Sequence, residues 1–105
     1  MAYIRVVALT DLPLQRGMRV VVAGRCLALF RVGADVFALD DACTHATASL
    51  AGGWVEDGKV MCPRHAAEFC LKTGKALSPP ACDDTRTYPV RIVEGIVEVD
   101  VPPDA

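Results

Sequence analysis

Cys43-Thr44-His45 and, after a spacer of sixteen residues (46–61), Cys62-Pro63-Arg64-His65 are the stretches whose reading decides the fold. Each offers one thiol and one imidazole, and together they use both histidines of the chain. Two such loops brought to one place supply two sulfur and two nitrogen ligands. A single zinc ion takes such a set tetrahedrally, whereas a [2Fe–2S] cluster takes two cysteines on one iron and two histidines on the other. The pairing within each loop bears on the choice. Structural zinc sites commonly draw like ligands from each knuckle, as Cys-x2-Cys or His-x3–5-His. Here each loop pairs unlike ligands, as Cys-x-His and Cys-x2-His, which suits a centre holding two metals with different needs. A lone histidine or cysteine is usually an ordinary surface or core residue; four at these spacings are a much rarer coincidence. The unlike pairing favours the two-iron centre, with a zinc-stabilised β module for protein interaction as the alternative.

Outward from these loops the chain reads as short strands. Met18 to Ala23 and Cys26 to Val32 are apolar or β-branched runs joined at Gly24-Arg25, and Val32-Gly33-Ala34-Asp35 turns the chain into Val36 to Leu39. Val90 to Val93 and Ile96 to Val99 flank Glu94-Gly95, a second hairpin signal. In that last strand Glu98 and Asp100 are expected to face water. Thr10-Asp11-Leu12-Pro13 predicts one short helical turn capped by Thr10. Val60-Met61 leads into Cys62, and Glu68 to Leu71 leads away to a turn at Lys72 to Lys75. No long 3.6-residue period appears, so the expected class is all-β.

At 105 residues the expectation is a single domain, 1–105. Its 52% hydrophobic and 23% charged residues exclude a disordered chain. A net charge of −2 without a basic cluster argues against nucleic acid. Met1 to Leu9 lacks the apolar block of a secretory signal, and no run is long enough to span a membrane. Five cysteines, two of them in the histidine loops, fit a disulfide framework poorly and a reducing cytoplasm well.

The two loops and their spacer resemble the Rieske family. Phe69 to Lys75, Ser78-Pro79-Pro80-Ala81-Cys82 and Tyr88-Pro89-Val90-Arg91 look like the ferredoxin components of bacterial aromatic ring-hydroxylating dioxygenases, the biphenyl-dioxygenase type above all. The resemblance covers essentially the whole chain. It implies a Rieske fold of antiparallel sheets with a small cluster-binding subdomain at one end. Loops at about 43–53 and 62–66 would form that subdomain, with a Pro loop at about 78–81 covering it. It implies one [2Fe–2S] cluster, with Cys43 and Cys62 on the inner iron and His45 and His65 on the outer. It implies an electron carrier with no catalytic residues of its own. A flavin-containing NAD(P)H-dependent reductase would load the carrier, and the terminal oxygenase would unload it. The same fold also serves as a small subunit of other oxidoreductases such as nitrite reductase, which remains a second reading.

High-potential members of the family carry an extra cysteine in each loop, and serine and tyrosine hydroxyls against the cluster sulfurs. This chain has Ala48 and Arg64, and Ala67 and Phe69, at the corresponding places. Fewer hydrogen bonds to the cluster stabilise the reduced state less, so a low potential is expected. Of the remaining cysteines, Cys26, Cys70 and Cys82 read as small core residues, and Trp54 as packed against a sheet rather than part of an electron path. The small tips Ala46, Ala48, Pro63 and Ala66 suit a docking face, and Arg64 reads equally as an aid to a partner's approach or as a solvated surface arginine. The acidic excess after Cys82 reads as a solvated face.

Overall fold

The structure is a computed structural model, and residues 3–41, 49–62, 67–77 and 84–102 are described. Ten strands make three antiparallel sheets. The central sheet pairs β2 (Gly17–Val22), β3 (Arg25–Val32), β4 (Asp35–Asp40) and β8 (Thr87–Tyr88) in that order. A second sheet places β10 (Ile96–Asp100) between β1 (Tyr3–Ala8) and β9 (Val90–Val93). The third pairs β5 (Trp54–Glu56), β6 (Lys59–Met61) and β7 (Glu68–Cys70). The all-β, antiparallel expectation is met, and the described residues hold only 3-10 turns besides strands.

Tight turns fix the hairpins. Val22 pairs with Arg25, Glu56 with Lys59, and Val93 with Ile96. Each pair therefore closes a two-residue turn: Ala23-Gly24, Asp57-Gly58 and Glu94-Gly95. All six turn residues have positive φ, from 50° to 79°, the backbone of a type I′ turn whose twist matches that of the flanking strands. The first of these turns lies one residue earlier than expected, because Arg25 is already paired in β3. Asp57-Gly58 carries the standard Asp-Gly signal that the sequence reading left unused, as it did the strands β1, β5 and β8.

Strand alternation builds two cores on the two faces of the central sheet. Leu27 and Leu29 of β3 face a base core with Ala38, Tyr88, Val97 and Val99. Ala28 and Phe30 face the opposite way, into a core with Leu39, Leu50, Val60, Cys62, Ala67, Phe69 and Leu71. Residues 27 to 30 are all wholly buried, so β3 is a wall between the two.

Three local expectations are corrected. The first 3-10 turn is Leu9–Asp11, with Ala8 rather than Thr10 at its N-cap and no side-chain cap; the Leu12 N–H closes it on the Leu9 carbonyl at 3.1 Å. Glu98 is only 8% exposed, because it lies opposite Arg91 in the ladder and accepts a 2.6 Å bond from the Arg91 Nε. The Arg91 guanidinium also lies 4.1 Å from the centroid of the Tyr3 ring. Cys26 is exposed rather than core, since the buried stretch of β3 begins one residue later. Its thiol accepts a bond from Arg19 Nη2 at 3.0 Å.

Candidate metal centre

Of the four expected ligands, Cys43, His45 and His65 lie outside the described residues, as do Arg64, Cys82, the small tips of both loops, and Ser78 to Ala81. Cys62 is described. It follows β6 directly and is wholly buried. What the structure does show is how the chain enters and leaves the three segments 42–48, 63–66 and 78–83.

The first neck is closed by Asp41 and Ser49. The Leu50 N–H donates to the Asp41 carbonyl at 2.7 Å. The Asp41 carboxylate accepts from the Ser49 hydroxyl at 2.7 Å and from the Ala51 N–H at 3.0 Å. Its other oxygen stands 3.3 Å from Arg19 Nε. A carboxylate this buried is stable only when so paired.

The second neck continues the β6–β7 ladder. Met61 pairs with Glu68, and the Cys62 N–H then donates to the Ala67 carbonyl at 2.7 Å. Residues 63–66 therefore leave and return through a single hydrogen-bonded pair. Lys59 and Glu68 form an ion pair of 3.0 Å alongside. The hydrogen bond to Glu68, then its negative charge, raises the Lys59 pKa.

Asp84 pins the third neck. Its carboxylate accepts from the Ala76 N–H at 2.8 Å, and the Thr85 N–H reaches the Gly74 carbonyl at 2.8 Å. Asp84 thus has a structural task within the acidic stretch that the sequence reading assigned to a solvated face.

The three necks are fastened to one another. The Leu77 N–H donates to the Glu68 carbonyl at 2.8 Å, joining the second to the third. Gly53, bonded through its N–H to the Leu50 carbonyl at 2.9 Å, passes so close to Met61 that a Cβ there would overlap the Met61 carbonyl oxygen. That approach joins the first to the second. All three necks are accordingly linked to one another, beside the core that contains Cys62.

The residues present fit a two-iron centre. Cys62 sits in one core with Leu50, Val60, Ala67 and Phe69, an environment in which a thiolate is costly unless a metal takes its charge. His65 is three residues along, on the segment that Cys62 opens, and Cys43 and His45 lie on the segment that Asp41 and Ser49 close. The neck residues Asp41, Ser49 and Asp84 escaped the sequence reading. The available signal was a short polar side chain immediately beside the first and third segments, the type that binds nearby backbone N–H groups.

Two other expectations change. Cys70 is half-buried rather than core. Hydrogen bonding to Thr73, hydroxyl first and backbone second, lowers its pKa. Trp54 is 59% exposed and pairs with Met61, the residue before Cys62, so it is not packed against a sheet.

An all-β scaffold with three linked loop necks beside a core that holds a buried cysteine, in a chain with two Cys/His pairs, fits an iron–sulfur module with mixed ligation. A model of the Rieske [2Fe–2S] domain matches residues 2–89. The 3-phenylpropionate/cinnamic acid dioxygenase ferredoxin subunit of Escherichia coli (strain K12) is 51% identical over 77 residues, 72% of this chain and 73% of that protein. The ferredoxin of carbazole 1,9a-dioxygenase from Nocardioides aromaticivorans IC177 superposes with a TM-score of 0.90 at 27% identity, over 94% of this chain and 97% of its own. A chain of the complex of reduced oxygenase and oxidized ferredoxin in carbazole 1,9a-dioxygenase gives 0.85 at 34% identity, over 92% and 91%. The chain belongs to the Rieske [2Fe–2S] domain family, and its cofactor is one Rieske-type [2Fe–2S] cluster, which displaces the zinc alternative. Among the described residues no helix is long and apolar enough to cross a membrane.

Proposed function

We propose that this chain, a single domain over 1–105, is the ferredoxin of an aromatic ring-hydroxylating dioxygenase system. It takes single electrons from a flavin-containing NAD(P)H-dependent reductase and delivers them to the terminal oxygenase in the cytoplasm. The observation that carries this reading is the set of three interlocked loop necks over a buried Cys62, in a chain that is 51% identical to a dioxygenase ferredoxin subunit.

When bound, the cluster supplies reversible one-electron chemistry. Cys43 and Cys62 would hold the inner iron, and His45 and His65 the outer. The apolar core around Cys62 excludes water from the thiolate side, and the imidazole side is the route by which electrons enter and leave. Ala67 and Phe69 are wholly buried in the core that contains Cys62, and neither side chain carries a hydroxyl to donate to a cluster sulfur. Their chemistry supports a potential at the low end of the roughly −150 to +300 mV Rieske range.

The test is electron paramagnetic resonance of the dithionite-reduced protein, with iron and sulfide counts and a redox titration. Two irons, two sulfides, a Rieske spectrum and a negative potential are expected. A colourless zinc protein, or a clearly positive potential, would overturn the reading. Dependence of oxygenase turnover on this chain, in the presence of the reductase and NAD(P)H, tests the two partners.

A further inference from the structure

We infer that Asp41 is a positioning residue for the cluster, holding the Cys43–His45 segment at a fixed span; this rests on the ferredoxin reading. Asp41 is a wholly paired carboxylate only 5% exposed, on the last turn of chain before the first ligand. Every polar group it offers is used. Its N–H donates to the Cys26 carbonyl at 3.1 Å, and its carbonyl accepts from the Leu50 N–H at 2.7 Å. One carboxylate oxygen accepts from the Ser49 hydroxyl and the Ala51 N–H, on the far side of the seven-residue segment 42–48. The other meets Arg19 Nε at 3.3 Å.

The consequence is geometric. The Asp41 main chain bonds Cys26 before the segment and Leu50 after it, and its side chain bonds Ser49 and Ala51 after it and Arg19 of β2. The two ends of the segment that carries Cys43 and His45 are thereby held to each other. Arg19 also donates to the Cys26 thiol at 3.0 Å, so the clamp is tied to the β2–β3 hairpin. The β6–β7 hairpin closes the Cys62–His65 segment by its ladder alone, through the Cys62 N–H and the Ala67 carbonyl. At the first segment the Asp41 carboxylate adds side-chain bonds to the main-chain closure between Asp41 and Leu50.

Cluster retention separates this role from ordinary stabilisation. Asp41→Ala leaves the Ser49 hydroxyl and the Ala51 N–H without their acceptor; it is expected to release iron to a ferrous chelator about tenfold faster than wild type. It should also broaden or shift the Rieske g-values at temperatures well below its unfolding midpoint. Val97→Ala, in the base core, serves as the control for lost stability and should leave release rate and g-values unchanged. Asp41→Asn keeps an acceptor for Ser49 and Ala51 while losing the charge pair with Arg19, and should retain near-normal g-values. Should Asp41→Ala fail to accumulate, Ser49→Ala decides: faster release with altered g-values supports the clamp, and wild-type behaviour overturns it. Release from Asp41→Ala no faster than from Val97→Ala also overturns it. A wild-type protein without a Rieske spectrum would instead refute the ferredoxin reading, so the two failures are distinguishable.

Discussion

The base core and the core beneath the cluster loops share the central sheet as a common wall, yet they are walled on the other side very differently. The base core is covered by β1, β10 and β9, strands of six, five and four residues. The loop-end core is covered by β5, β6 and β7, of three residues each. A strand of five or six residues is the usual length, and a small sheet needs a packed face to persist. The third sheet therefore draws its stability from packing on Phe30, Ala28 and Leu39 of the central sheet, and the proposed cluster ligation on its loop would add to it. What the difference teaches is that chain stability and site geometry reside in different halves of one small molecule.

Removing a ligand should break the comparison most sharply. His65→Ala is expected to abolish the Rieske spectrum, and a normal spectrum in that variant would falsify the ligand assignment. Loss of the cluster should raise amide hydrogen exchange in β5–β7 while the central stretch of β3 and the body of β10 stay protected. Equal deprotection of both halves would show that they are one cooperative unit.

Truncating one large side chain in the loop-end core comes next. Phe69→Ala should cost about 3–5 kcal/mol and Leu27→Ala about 2–5 kcal/mol, by chemical denaturation of the cluster-free protein. Only Phe69→Ala should also lower the iron content of the protein as purified.

A smaller pair of changes contrasts two glycines. Gly95 has φ +77° with open space around it, so Gly95→Ala should cost about 1–2 kcal/mol of strain and leave the cluster intact. Gly53 has an ordinary φ of −84°, and Gly53→Ala should act through the collision with Met61, reducing cluster content with an unstrained turn.

The smallest effect belongs to the base and to high pH. Burial, then a hydrogen bond to Asp40, raises the Tyr88 pKa above its ordinary 10.0. A raised phenol keeps its proton in the folded state, so its stabilising contribution is full below about pH 10 and is lost as pH rises through the folded value. Thermal midpoints above that pH should fall more steeply in wild type than in Tyr88→Phe.

The hairpins at Gly24 and at Glu94-Gly95 were legible because the turn chemistry is local, and so was the pairing of Cys with His on each loop; Asp57-Gly58 carried the same signal but stood between strands of only three residues. β1 was not, since its partner β10 lies at the other end of the chain and the pairing contains a register shift between Arg5 and Val7. Glu98 and Cys26 were misread for one reason. Alternation gives which side a residue faces, but Arg91 covers one outer side and the buried run of β3 begins only at Leu27. The neck residues were not singled out because the groups they bond, the Ala51 and Ala76 N–H groups and the Asp41 carboxylate, are brought near only by the fold.

Because β3 is apolar on both faces, hydrophobicity alone does not tell Leu27 and Leu29 from Ala28 and Phe30. A slip of one residue would turn each of these side chains to the opposite face and exchange the contents of the two cores. Side-chain volume and the two-residue turns at its ends, Ala23-Gly24 and Gly33-Ala34, hold the register instead. Surface loops normally tolerate an added residue. In this protein an insertion in either turn would press on the partner pairing of every side chain in the wall, and the metal loops would inherit the error.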